Sequence, residues 1–252
     1  MKYVRYLLDN EIGHGTLEED TVQVLNAAPF EGGTPTGRAV SLSSVKLLAP
    51  VVPRTVVAIG LNYEDHAKES GMDVPDEPFL FLKTPGTIIG PDEPIKLVAP
   101  ENRNDYEAEL VIVIGREARH VRAENASDVI FGYTCGNDVS DRDCQKSDSQ
   151  WVRAKASDTY GPIGPVVTDE IDPHSVGIRT RLNSETKQDS NTNQMIFKIP
   201  QLIEYVTRYI GLVPGDVIFT GTPPGIGPMH PGDVVEIEID GIGTLRNPVE
   251  AA

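Results

Sequence analysis

Cysteine is scarce in this chain of 252 residues: only Cys135 and Cys144 occur, with no C-x-x-C spacing and no histidine beside them. That excludes a disulfide-stapled scaffold and a thiolate metal site, and it leaves two reduced thiols of the kind a cytoplasmic protein carries. Long apolar runs are lacking too. None approaches bilayer-spanning length, and Met1-Lys2-Tyr3-Val4-Arg5-Tyr6 has none of the apolar core of a secretory signal. A soluble, cytoplasmic protein without a membrane partner is expected. Basic residues are the third shortage: 22 Lys and Arg stand against 38 Asp and Glu, a formal net charge of -16. A field of that sign repels nucleic acid, so no nucleic-acid partner is expected. It also repels small anions, so an anionic substrate needs a local metal ion, or Arg and Lys, to reverse the sign. No Gly-Lys-Ser/Thr occurs, which excludes a phosphate loop.

What is present, 39% hydrophobic residues included, can build one large domain, or one domain with a small appendage. Residues 1–50 read as a small β segment: a strand from Tyr3 to Leu8, a turn from Asp9 to Gly13, a strand from Thr21 to Leu25, and a loose stretch from Pro29 to Gly37. Pro50 and Pro53 mark a weak boundary, with residues 51–252 as the main body. There, Val56 to Ile59 and Phe79 to Leu82 read as strands, and Asn62 is placed to cap a short helix from Tyr63 to Ser70 that Gly71 ends. Ala123 to Val129 reads as helical, and Phe131 to Cys135 as a strand. Leu202, Ile203, Val206 and Ile210 recur at helical spacing over Pro200 to Ile210. The C-terminal third reads as strands at Val217 to Thr220, Val234 to Ile239 and Gly243 to Val249. Few short helices among many strands make the class α+β and β-rich.

One strand carries the chemistry. In Asp105-Tyr106-Glu107-Ala108-Glu109-Leu110, followed by Val111 to Ile114, Glu107 and Glu109 point the same way, about 6.6 Å apart along the strand. A solvated strand face is the bland account, but the apolar run that follows argues against a wet strand. Two carboxylates held together ahead of a core strand are tolerable with a cation between them. Asp138, at the end of another strand-like run, makes a third, although Asp138 to Asp143 also reads as an ordinary acidic helix start. Three carboxylates with no His or Cys nearby describe a hard-metal site for Mg2+ or Mn2+.

Other candidates are weaker by spacing alone. His66 and Glu69, three apart on one helix face, suit a general base oriented by a carboxylate, or an exposed surface helix. Arg142 and Gln145 fall on one face of a helix after Asp138, and Arg suits a planar carboxylate. Lys155 either neutralises a developing anion or caps a surface. Thr222, in Gly221-Thr222-Pro223-Pro224-Gly225, either offers a hydroxyl to a ligand or sits in a tight turn. His14, His120, His174 and His230 read as surface residues in turns or linkers.

Together these residues resemble the fumarylacetoacetate hydrolase superfamily. The matching segments are Gly60 to His66, Phe79 to Lys83, Tyr106 to Leu110, Asn137 to Asp143, Trp151 to Lys155, Met195 to Phe197 and Pro214 to Gly227. They run from about residue 56 to the C-terminus, and the first 50 residues resemble the small N-terminal extension of bacterial and archaeal members. The resemblance implies a mixed β-roll of packed sheets with short flanking helices, and a homodimer. It places the metal triad on Glu107, Glu109 and Asp138, with one Mg2+ or Mn2+ per subunit. The water-activating pair falls on His66 and Glu69, on a lid helix. Arg142, Gln145 and Thr222 match substrate-contacting positions, and Lys155 an anion-stabilising one. The implied substrate is a small anionic 2-oxo acid whose C–C bond is hydrolysed or decarboxylated through an enolate that the cation stabilises. Isomerisation of a 2-hydroxyhepta-2,4-diene-1,7-dioate, and a non-catalytic metal- or ligand-binding role, are the alternatives.

Overall fold

The computed structural model describes every residue except Met72 and the side chain of Ser70. Its frame is an eleven-stranded sheet ordered Pro35–Ser41, Thr21–Leu25, Glu11–Glu18, Lys2–Leu8, Ile163–Thr168, Ile130–Asn137, Ala108–Ile114, Val217–Phe219, Val56–Gly60 and Phe79–Lys83, with Lys46–Leu47 also paired to Lys2–Leu8. Only Val217–Phe219 and Val56–Gly60 run parallel within it. A five-stranded sheet of Glu185–Asn191, Gly177–Leu182, Val234–Ile239, Gly243–Ala251 and Ile95–Leu97 packs against its centre. A three-stranded patch of Ser140–Asp141, Asn104–Tyr106 and Gly227–Pro228 closes one end. The β-rich α+β class is as the composition of elements implied.

Ala108–Ile114 explains the layering. Leu110, Ile112 and Ile114 pack with Ile178, Ile237 and Leu245 of the five-stranded sheet. Val111 and Val113, on the opposite face, pack with Val56, Ala58, Ile163, Val217 and Phe219. A strand covered on both faces reads as an unbroken apolar run rather than an alternation. Each such side chain contributes roughly 1.5–3 kcal/mol by leaving water, so the strand that carries the glutamates is anchored in the centre of the core. The helix Ile199–Tyr209 buries Leu202, Ile203 and Val206 on one stripe.

Several local expectations are corrected. The first turn is only Asp9-Asn10, both left-handed at φ 51 and 64, a two-residue hairpin geometry. Glu11–Glu18 is therefore a strand, half-exposed and too polar to show an apolar alternation. His14 lies within it rather than in a turn. Part of the loose stretch is the edge strand Pro35–Ser41, exposed almost throughout, and an edge strand can begin with proline because no partner needs its N–H. Ala123–Val129 is helical as expected, in the tighter 3-10 form. Gly177–Leu182 and Glu185–Asn191 are strands that no local signal marked. Lys2 and Tyr3 pair with Thr168 and Val167, so residues 1–50 extend the main sheet.

Asn62 does not cap the helix Glu64–Ser70, whose N-cap is Tyr63. Its buried amide is a clip instead: Oδ1 accepts from the Phe197 N–H at 2.7 Å, and Nδ2 donates to the carbonyls of Thr220 (2.7 Å) and Phe197 (3.1 Å). This ties the root of the helix to the end of Val217–Phe219.

Candidate functional site

Strand pairing brings the acidic residues together. Glu109 lies opposite Gly136 in the antiparallel ladder. The Glu107 N–H donates to Asn137 Oδ1 at 2.9 Å, and the Asp138 N–H donates to the Glu107 carbonyl at 2.9 Å. Two strand ends thus present three carboxylates to one point. Gly136 is glycine because a Cβ there would overlap the side chains of Val111 and Phe219. One oxygen from each of Glu107, Glu109 and Asp138 lies within 4.8 Å of the others, and all three residues are buried.

The charges around them form a chain. Lys155 Nζ lies 2.7 Å from Glu107 Oε2 and 2.7 Å from Asp138 Oδ2. Lys83 Nζ lies 2.6 Å from Asp138 Oδ1 and also donates to the Lys155 carbonyl. Arg142 pairs with Glu107 through one nitrogen and with Asp105 at 2.8 Å through Nε, and it donates to Gln145 Oε1 at 2.8 Å. Arg103 holds the other oxygen of Asp105 at 2.8 Å. Burial would push the Glu107 carboxyl up, but Lys155 and Arg142 hold it well below the usual carboxylate range. Glu109 goes the other way. Burial and then the charges of Asp138 and Glu107 push it well above that range. It accepts from the Gly221 N–H at 2.7 Å and has no cation against it among the described residues. Gly221 reaches it from a left-handed conformation at φ +95, packed on the Asn62 side chain.

This donor set fits a hard divalent cation: three buried, converging carboxylate oxygens, one of them uncompensated, with no soft ligand in the cluster. Asp141 rather than Asp138 caps the following helix, accepting from the N–H groups of Asp143 (3.0 Å) and Cys144 (2.9 Å). The helix-start reading therefore holds for Asp141, while Asp138 stands with the two glutamates.

The carboxylates line a cavity of about 810 Å³ shared with His66, Glu69, Arg142, Gln145, Lys155 and Thr222. Every site residue expected from sequence therefore reaches one cavity. His66 Nδ1 lies 3.2 Å from Glu69 Oε2, and Glu69 also accepts from the Gly225 N–H at 3.1 Å. Phe79, Phe81 and Trp151 form an aromatic wall, with ring centroids 4.9 and 5.4 Å apart. Gln188, which sequence reasoning missed, orients Thr222. Its Oε1 accepts from the Ala108 N–H at 3.1 Å, so its Nε2 donates to Thr222 Oγ1 at 2.9 Å and leaves the hydroxyl hydrogen for the cavity. Lys83 and Asp105 were also missed as site residues. Lys83 ends an apolar strand and Asp105 begins one, and neither position signals a pairing across the fold. Cys135 and Cys144 are free thiols, and no helix among the described residues is long and apolar enough to cross a membrane.

A β-rich fold of packed sheets that gathers three carboxylates at the ends of its central strands presents an acidic cluster able to hold a metal ion. The chain belongs to the fumarylacetoacetate hydrolase family: residues 55–250 match its C-terminal domain, and residues 1–50 match the Rv2993c-like N-terminal domain. Among its relatives, a mitochondrial oxaloacetate tautomerase of Xenopus laevis is 44% identical over 222 residues, 83% of this chain and 70% of that protein. The crystal structure of 2-hydroxyhepta-2,4-diene-1,7-dioate isomerase from Mycobacterium marinum superposes with a TM-score of 0.92 at 40% identity, covering 100% of this chain and 98% of that one. Maleylpyruvate hydrolase from Sphingobium, solved with manganese and pyruvate, gives a TM-score of 0.82 at 27% identity, with both chains covered in full.

Proposed function

We propose that this protein is a divalent-metal-dependent enzyme that hydrolyses or decarboxylates a C–C bond of a small anionic 2-oxo acid. The observation that carries this reading is the convergence of Glu107, Glu109 and Asp138 within 4.8 Å of one another, in the cavity that also holds the His66–Glu69 pair. Mg2+ or Mn2+ held by the three carboxylates would supply Lewis-acid polarisation of the substrate's carboxylate and 2-oxo oxygens. The chain's own residues do the rest. Glu69 against Nδ1 orients the His66 ring, leaving Nε2 to take a proton from water. The hydroxyl then adds to the remote carbonyl of an acylpyruvate. The bond between C3 and C4 breaks, and its electron pair moves into a pyruvate enolate that is later protonated at carbon. Lys155 stands beside that developing charge, and Arg142 with Gln145 and the Thr222 hydroxyl orients the polar groups. Phe79, Phe81 and Trp151 cover the apolar part and limit access of further water.

Oxaloacetate would give the same enolate by loss of CO2 with no hydrolytic water. A second reading, tautomerisation or isomerisation by proton transfer through His66, is favoured by the likeness to the frog tautomerase and the mycobacterial isomerase. The experiment is a turnover screen with Mg2+ across acetylpyruvate, oxaloacetate in keto and enol form, and unsaturated 2-oxo heptanedioates. C–C cleavage supports the first reading, and proton shift alone supports the second. Full activity after exhaustive chelation overturns both.

A further inference from the structure

We propose that the ion pairs around the triad are balanced so that a divalent cation and a doubly charged chelating anion enter as a pair, each binding weakly without the other, and that Lys83 sets this coupling from outside the cavity. The inference rests on the metal reading above and extends it to ligand charge. Four cations and four carboxylates make one cluster: Lys83, Lys155, Arg142 and Arg103 with Asp138, Glu107, Asp105 and Glu109. All but Glu109 are linked in a continuous chain of pairs. Except at the Arg103 end the cluster is largely shielded: the side chains of Lys83, Asp138 and Lys155 are 0%, 1% and 4% exposed. Counted with Glu109 ionised, as it would be around a cation, the formal charges of the cluster sum to zero. A divalent ion alone leaves it doubly positive in a poorly solvated place, which is unfavourable. A ligand carrying two negative charges restores neutrality.

The enolate of a 2-oxo acid carries two negative charges side by side, one on its carboxylate and one on its enolate oxygen. The keto acid carries one on the same two groups. The charge count therefore favours the reacting form over the resting substrate, which is the differential binding that accelerates a step. Chelation by itself also couples a metal to an anion. Lys83 separates the two explanations, because it is absent from the cavity lining and its Nζ donates, among the described residues, only to Asp138 and the Lys155 carbonyl. It can act on metal and ligand only as a charge; burial draws its ammonium toward the neutral form, and the Asp138 carboxylate at 2.6 Å works against that.

The test measures Mn2+ binding by calorimetry and by the spin resonance of free Mn2+. It is run alone, with oxalate (a planar dianion with two adjacent oxygens) and with oxamate, its singly charged near-isostere. Trp151, the single tryptophan and part of the cavity wall, gives an independent fluorescence readout. The wild-type protein should bind Mn2+ weakly alone and far more tightly with oxalate than with oxamate. In Lys83→Met, Mn2+ alone should bind roughly tenfold tighter, and the gain from oxalate should shrink by a similar factor. Weaker Mn2+ binding in the variant means that Lys83 is only a strut for Asp138, and an unchanged oxalate gain means that chelation alone couples the two; either overturns the proposal. Should Lys83→Met not fold, Arg103→Gln at the exposed end of the chain must show the same two directions, about two- to threefold, and no change there overturns it as well. Failure of the wild-type protein to bind Mn2+ even with oxalate is a different result, and it removes the triad itself.

Discussion

Two ion-pair networks of similar make-up occupy opposite conditions in this molecule. On the five-stranded sheet, Arg179 and Arg181 face Glu238 and Glu236 across the ladder between Gly177–Leu182 and Val234–Ile239. Arg181 reaches Glu238 at 2.6 Å, and Arg179 reaches Asp240 at 2.8 Å. Around the triad, Lys83, Lys155 and Arg142 pair with Asp138, Glu107 and Asp105 at similar distances, but out of water. The first network has solvent to screen it, so each pair contributes at most about 1 kcal/mol. The second gave up hydration to form, and a well-packed apolar core of the same volume would be no less stable. Stability does not explain the buried network. It gathers three acidic side chains at one point beside a cavity.

Breaking the comparison at its centre gives the largest effect. Glu109→Gln should abolish Mn2+ binding by calorimetry and reduce turnover to background. The melting temperature of the metal-free protein should hold or rise, because a neutral amide relieves the repulsion from Asp138 and Glu107 that raises Glu109's proton affinity. Unchanged metal affinity would strike Glu109 from the ligand set. His66→Ala should lower acylpyruvate hydrolysis by roughly 10²–10⁴-fold and oxaloacetate decarboxylation much less, in steady-state assays. Equal losses would remove the water-activating role.

Smaller effects sharpen the contrast between the networks. Arg142→Met leaves Asp105 and Glu107 short of a buried partner and should lose about 3–5 kcal/mol in urea unfolding. Arg181→Ala, on the surface ladder, should lose about 1 kcal/mol or less, and less still in 1 M salt. A large, salt-resistant loss at Arg181 would erase the distinction. The pH dependence follows from signs. Glu107, held low, stabilises the fold above the unfolded carboxylate range, and that stability is lost as pH falls through its folded value. Glu109, held high, acts in reverse: ionising it as pH rises destabilises the metal-free protein. Mn2+ should therefore raise the melting temperature more at pH 8 than at pH 5, in a scan with and without metal. An equal rise at both would contradict the raised Glu109.

Much of the site was legible because its signals are local. Period-two spacing put Glu107 and Glu109 on one side of a strand, and i,i+3 spacing put His66 beside Glu69. The helix carrying Arg142 and Gln145 followed from the segment after Asp138. The misses share one cause. Asn62, before a helix, looks like a cap, but its amide bonds to residues 135 and 158 positions away. Lys83 looks like the polar end of an apolar strand, and Gln188 like one residue of an exposed strand. None of the three has a sequence neighbour that explains it.

The residues alone therefore determined the class of fold, the acidic cluster and the His–Glu pair, since strand and helix periodicity place neighbours in the chain as neighbours in space. Only the tertiary structure decided which cations face which carboxylates and that Glu109 is left uncompensated. Those facts depend on strand order and register across the whole sheet, where contacts between distant residues are set by how the core packs and not by spacing along the chain.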